Sequence, residues 1–342
     1  MNEKSKTTPA ERKSGTVKNW LIENALIVVI IIMAIYTAFR ATTFLTFENM
    51  KNILMNVSVR FVIALGVSGC LIIRGTDLSA GRVVGLAAVI TAVMLQRPDA
   101  SAGVLYEQVA GSPILVALLA ALAVGLLMGL INGLIIAFFY VPPFIATLGT
   151  QIAIYGLNMI LSKNVPIGSL NSNFTFFGVS GLKLGPITLP WIFFVAVFLG
   201  ILMHILYRRT TYGKYMYAIG GNEVAAEVSG VNTKRSKILI FSLAGLLYGL
   251  AGFLLTAKTG SAAVSAGTGY ELEAIAAATI GGVSTAGGVG TVPGVFLGVL
   301  VFEMLKTCLQ FLGISPEMTN IFQGIVIVVA VALDIRKTMR KK

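Results

Sequence analysis

Ten apolar runs separated by polar segments organise the chain, at about 21–39, 57–73, 83–95, 113–138, 143–161, 188–207, 238–257, 274–283, 290–312 and 319–334. Most approach the roughly 20 residues that a helix needs to cross a bilayer. The runs at 83–95 and 274–283 fall short, which predicts helices that are broken, partly buried or extended by polar ends. The longest hydrophilic interruption within the array is Arg208 to Lys237, with six Lys or Arg. Inside it, Gly220-Gly221-Asn222-Glu223-Val224-Ala225-Ala226-Glu227-Val228-Ser229-Gly230 reads as a glycine turn, an Asn cap, a short helix and a glycine stop. Val224 and Val228 stand four apart and share one face of that helix. The pattern predicts an all-α polytopic membrane protein of about ten transmembrane helices, some short or broken, with both termini cytoplasmic. Its parts are a flexible cytoplasmic tail at 1–19, a membrane domain at 20–335 that includes a cytoplasmic loop at 208–237, and a basic cytoplasmic tail at 336–342.

Composition agrees: 56% hydrophobic and 12% charged residues exclude an ordinary soluble globular chain. The 26 basic against 14 acidic side chains sit at the ends of apolar runs, so the excess reports membrane topology rather than nucleic-acid binding. With ten spans, 18 Lys and Arg fall inside, counting Arg74 and Arg82 in an inner loop, and six fall outside. Removing the short run at 274–283 would place the basic C-terminal tail outside, so the charge bias predicts that this run crosses. No small-residue cleavage site follows the first apolar run, which therefore reads as an uncleaved span rather than a signal peptide.

Three polar or glycine-rich stretches interrupt the apolar array. Arg74-Gly75-Thr76-Asp77-Leu78-Ser79 reads either as an interfacial turn with an Arg–Asp pair or as a broken helix lining a water-filled path. Pro142-Pro143, after Asn132-Gly133 and before Thr147, ends one helix and permits the next to start, because proline at a first helical position sacrifices no hydrogen bond. Glu271 and Glu273 stand at the expected outer mouth of a short span, whose inner end is the glycine bend Gly287-Gly288-Val289-Gly290-Thr291. That bend lacks the Lys-Ser or Lys-Thr of a phosphate-binding loop, and close helix packing is its expected use.

Arg60, Glu303 and Lys306 are the conspicuous charges within spans, and Glu303 and Lys306 are spaced to pair on one helix face. Cys70 and Cys308 have no metal-ligand spacing, and His204 has no acidic neighbour. No nucleophile, base and orienter set appears, so an enzyme is the weakest class. No metal or cofactor is expected in this chain.

Taken together, Thr76-Asp77-Leu78-Ser79, Val141-Pro142-Pro143-Phe144, Ala218-Ile219-Gly220-Gly221-Asn222 and Tyr270-Glu271-Leu272-Glu273-Ala274-Ile275 resemble, in order, motifs of the permease subunits of bacterial ATP-binding-cassette monosaccharide importers. The resemblance covers about 20–340 and looks closest to the galactose and methyl-galactoside branch, with the ribose-type branch also similar. It implies an inner-membrane homodimer that forms a sugar path, served by a periplasmic sugar-binding protein. It also implies a cytoplasmic ATPase carrying ATP and Mg, docked on a coupling helix that would include Gly220, Gly221, Asn222, Glu223, Ala225, Ala226, Ser229 and Gly230. Path or gate residues would be Asp77, Ser79, Asn132, Pro142, Pro143, Thr147, Glu271 and Glu273. No G-x-x-x-x-G-K-[ST] run occurs here, so ATP energy would enter through another chain. The rival is an ion-gradient-driven secondary transporter, which usually needs an ionisable relay within the bilayer. A passive channel or a membrane scaffold is a third reading, against which the capped helix weighs.

Overall fold

The computed structural model of the chain describes residues 25–100 and 103–339. The expected tail at 1–19, the start of the first run and the last three residues lie outside them. The described chain folds as helices α1 (Ala25–Arg40), α2 (Phe47–Ile72), α3 (Ala80–Leu95), α4 (Ile114–Phe138), α5 (Pro143–Ser162) and α6 (Ser172–Val179). An antiparallel hairpin of β1 (Gly181–Leu184) and β2 (Ile187–Pro190) follows, then α7 (Trp191–Arg209), α8 (Thr211–Gly221) and α9 (Glu223–Val228). The chain closes with α10 (Thr233–Thr259), α11 (Tyr270–Ile280), α12 (Val292–Phe311) and α13 (Pro316–Met339). The pattern of apolar runs did not indicate α6 or the hairpin, which are too short to generate a hydrophobic period.

Helix ends follow local chemistry. Thr46 caps α2 by accepting from the Asn49 N–H, Asn171 caps α6, and Thr291 caps α12 ahead of a first-turn proline. Pro142 and Pro143 start α5, and Gly260, in the left-handed region, stops α10. Among the described residues, seven helices are long and apolar enough to cross a membrane, α2, α4, α5, α7, α10, α12 and α13.

Two of these form the interior: the most apolar windows of α2 and α10 are 83% and 72% buried, against 18–28% for α4, α5, α7 and α13. The outer helices present apolar side chains outward because lipid, not water, is their solvent. Backbone contact through glycine lets α10 sit so deep. Gly125 and Gly129 of α4 face Gly245 and Gly249 of α10, and a Cβ added at Gly125 would lie 2.8 Å from the Gly249 backbone nitrogen.

The two short runs are where the sequence reading needs correction. α3 has 16 residues and α11 has 11, so they rise only about 24 Å and about 16 Å, less than the roughly 30 Å hydrocarbon core. The C-terminal end of α11 lies against the start of α12 through Gly281 and Gly294, at the same end of the molecule as α8 and α9. Its N-terminal end therefore stands at intermediate depth, reached by the loop 261–269 folding inward. Arg82, counted above with the inner-loop cations, lies in the first turn of α3 and bonds Thr268 of that inward loop. Arg82 and Glu271 consequently belong to neither face of the membrane: both stand near the starts of half-length helices.

Candidate functional site

At the end of the molecule that carries α8 and α9, the short helix has the capping that its sequence predicts. The Asn222 side chain accepts from the Ala225 N–H at 3.0 Å, Ser229 Oγ donates to the Ala225 carbonyl at 2.7 Å, and Gly230 has φ +86°. Ala226 is buried and anchors the helix, while Val224 and Val228 are 71% and 85% exposed. Two apolar side chains therefore project together from a polar loop. Gly221, Asn222, Ala225, Ser229 and Gly230 are exposed, and Glu223 is partly so, pairing with Lys237 at 2.6 Å. Gly220 differs from these neighbours. It is buried, and a Cβ there would overlap the Ile72 carbonyl and lie 2.6 Å from the Gly288 nitrogen.

This contact joins the short helix to the interior. The Gly288 N–H donates to the Ile72 carbonyl at 2.8 Å, so the glycine bend before α12 packs on the end of α2. Arg74, with φ 61°, donates from Nε to the Gly220 carbonyl at 2.9 Å and from Nη2 to the Gly221 carbonyl at 2.7 Å. Its guanidinium thus meets the negative end of α8, where unpaired carbonyls collect. The Arg–Asp pair that the sequence allowed does not form: Arg74 turns to α8, and Asp77, three residues on, turns inward.

Asp77, Ser79, Asn132 and Thr147 are brought together and buried, each at most 1% exposed. Asp77 Oδ1 accepts from the Ser79 N–H at 2.9 Å and from Ser79 Oγ at 2.7 Å. Asn132 Nδ2 donates to Ser79 Oγ at 2.9 Å, and Thr150 Oγ1 donates to Asn132 Oδ1 at 2.8 Å. Thr147 Oγ1 accepts from the Leu78 N–H at 3.1 Å, so α4 and α5 together supply the backbone and side-chain partners of the broken segment 73–79. Pro142 and Pro143 stay at the helix turn, exposed and half-buried, and outside this chain of hydrogen bonds. The break is tolerated in an apolar bundle because these polar groups are paired, apart from Asp77 Oδ2, which is buried without a hydrogen-bond partner.

Glu271 and Glu273, two apart on α11, face different neighbours. Glu273 is in an ionic cluster: Arg60 Nε donates to its Oε2 at 2.7 Å and Lys306 Nζ to its Oε1 at 3.2 Å. Arg60 Nη1 also pairs with Glu303 Oε2 at 3.2 Å, and Asn56 Nδ2 donates to Glu303 Oε1 at 2.6 Å. Lys258 Nζ reaches Asn56 Oδ1, and Tyr270 lies under the Arg60 guanidinium, 5.1 Å from ring centre. The expected Glu303–Lys306 pair is replaced by cross-helix bonds, since Arg60 presents two donor edges to two carboxylates at once. Arg60, Tyr270 and Glu273 also line a small cleft with room for about one water molecule. Glu271, by contrast, lies against Gly81 of α3. Asn56 stands four residues before Arg60 on α2 and so shares its helix face, a spacing passed over in the sequence, whereas Lys258 lies on α10 and has no local spacing that relates it to Arg60. Among the described residues no group of His, Cys, Asp and Glu could hold a metal ion.

The chain is 44% identical to the galactose/methyl galactoside import permease protein of Escherichia coli (strain K12) over 326 residues, 94% of this chain and 97% of that protein. It is also 44% identical to the protein of the same description from Haemophilus influenzae, over 94% of this chain and 96% of that one. The ribose import permease protein of Bacillus subtilis (strain 168) is 39% identical over 90% of this chain and 91% of its own length. No solved structure matches. The family described as branched-chain amino acid transport system / permease component matches residues 49–331, which take in α2 through most of α13. With that match, the half-length helices and the array of apolar helices around α2 and α10, this multi-pass membrane chain belongs to that family of transport permeases.

Proposed function

We propose that the chain is the membrane-spanning subunit of an ATP-driven importer for a monosaccharide, with galactose or methyl galactoside as its substrate. The observation that carries this reading is the connection of α9 to the broken segment 73–79. An exposed, capped helix is tied through Gly220 and Arg74 to a backbone turn that continues into buried Asp77, Ser79 and Asn132. A cytoplasmic ATPase seated on Val224 and Val228 would pull on this connection when it closes around ATP. The differential binding energy of that closure would bias the helices between inward-open and outward-open arrangements. A second copy of the chain would complete the path, and a periplasmic sugar-binding protein would deliver the substrate. The names of the similar permeases support a sugar as cargo, and galactose ahead of ribose.

A carrier driven by an ion gradient would need an acid free to exchange its proton within the membrane. Glu273 and Glu303 are each paired with a cation, which weighs against that use of these two, whereas Asp77 and Glu271 each keep one buried oxygen without a hydrogen-bond partner, so the uptake experiment is what separates the readings. Uptake of labelled galactose, with ribose for comparison, separates the two readings when an uncoupler collapses ion gradients at constant ATP. Uptake that survives the uncoupler and requires ATP is expected. Uptake that dies with the gradient while ATP remains would make the chain a secondary carrier.

A further inference from the structure

A second polar group lies where α3, α5 and the inward loop 261–269 meet. The Arg82 guanidinium stacks over the Tyr155 ring, 4.4 Å from its centre, and donates to Thr268 Oγ1 at 2.9 Å. One turn along α3, Gly85 faces the Asn158 amide, and Gly81 faces the Glu271 carboxylate. The absence of side chains at these two glycines is what admits both groups to the seam. Asn158 is fully buried and Glu271 is 7% exposed, yet both amide atoms of Asn158 and Oε2 of Glu271 lack a hydrogen-bond partner. Buried polar atoms are nearly always paired, and these three stand in one place.

The depth of the seam narrows its use. Arg82 is about 20 Å from the Leu95 end of α3, within the hydrocarbon thickness. Tyr155 and Thr268 beside it are exposed on this subunit. A guanidinium at that depth is strongly disfavoured against lipid, so this face meets water or protein. The available groups are a cation, a carboxylate, an amide that both donates and accepts, and an aromatic face. An anion would meet Glu271 and a cation would meet Arg82. An apolar ligand would leave the amide stranded. A neutral polyhydroxylated ring suits all four, because its hydroxyls donate and accept while its C–H face stacks on an aromatic ring.

We propose that the seam of Arg82, Tyr155, Asn158, Thr268 and Glu271 is a contact point for a neutral monosaccharide midway along the path, closed in this structure over the unpaired amide and carboxylate. The proposal rests on the transport reading above. Its test uses the full permease reconstituted in vesicles with its ATPase and binding protein, with D-galactose as probe. Asn158→Leu replaces an unpaired amide by an apolar group of similar shape, so unfolding temperature is expected to hold or rise. Galactose uptake is expected to fall about tenfold, the effect of one lost hydrogen bond to substrate. Wild-type uptake in a folded Asn158→Leu protein would overturn the proposal.

Thr268→Cys keeps the question open to decision if the leucine variant fails to fold. During ATP turnover the new thiol is expected to react with a charged, membrane-impermeant reagent, more slowly when D-galactose is present. No reaction, or reaction indifferent to the sugar, would overturn the site. Wild-type uptake without ATP dependence in the same vesicles would instead bring down the transport reading, while sugar protection of Thr268→Cys would still decide whether the seam binds.

Discussion

Arg74 shows how one side chain acquires a role that its neighbours in sequence do not suggest. Its local context, Arg74-Gly75-Thr76-Asp77, invites an ion pair, yet the guanidinium is committed to the Gly220 and Gly221 carbonyls. Arg74→Ala removes both bonds and leaves the end of α8 without its cation, so sugar uptake is expected to fall about tenfold, the equivalent of one charge-assisted hydrogen bond. Arg74→Lys, a single point charge that cannot span two carbonyls, is expected to fall between alanine and wild type. Transport rates normalised to the amount of folded protein check this order, and equal rates in all three would remove Arg74 from the coupling connection. Asp77, Ser79, Asn132 and Thr147 were legible one by one as polar residues in apolar surroundings. The bond from Asn132 to Ser79, which also holds Asp77, was not, because it forms only when α4 packs beside the break before α3.

Among the elements, α11 is the one whose position depends most on charge. It is too short to span, begins at intermediate depth, and is held there by Glu273 against Arg60 of α2 and Lys306 of α12. Removing one partner of a buried pair leaves an uncompensated charge and typically costs about 3–5 kcal/mol. Arg60→Leu is therefore expected to destabilise the protein strongly, since it frees Glu303 as well as part of Glu273. The double variant Arg60→Leu with Glu303→Leu is expected to lose less than the sum of the two single changes, because it deletes both ends of the 3.2 Å contact. Thermal unfolding of the purified variants in detergent measures this, and strict additivity would show that the pair is not coupled. The run at 274–283 correctly marked a short helix in the sequence. Its start at Tyr270 within the membrane was hidden, since the loop 261–269 that reaches inward has no periodicity to announce it.

For the whole molecule, the contrast between a buried α2–α10 centre and lipid-facing outer helices rests on glycine contacts between α4 and α10. A Cβ at Gly245 would overlap the Gly125 carbonyl and lie 2.8 Å from the Gly129 backbone. Gly245→Leu is thus expected to separate the two helices and abolish the monodisperse folded species on size-exclusion chromatography, whereas the same change at Gly149, where nothing lies within 4 Å, is expected to leave that species intact. The sequence by itself determined the apolar helices, their turns and caps, the capped helix at Glu223–Val228 and the polar interruptions between spans, because these depend on residue order over a few turns. Only the tertiary structure decided that Arg74 holds α8, that Arg60 bridges two carboxylates on different helices, and that Glu271 packs against Gly81, next to Arg82 on α3. Burial depth and the identity of a polar partner are set by packing between segments far apart in the chain, and local sequence period carries no information about either.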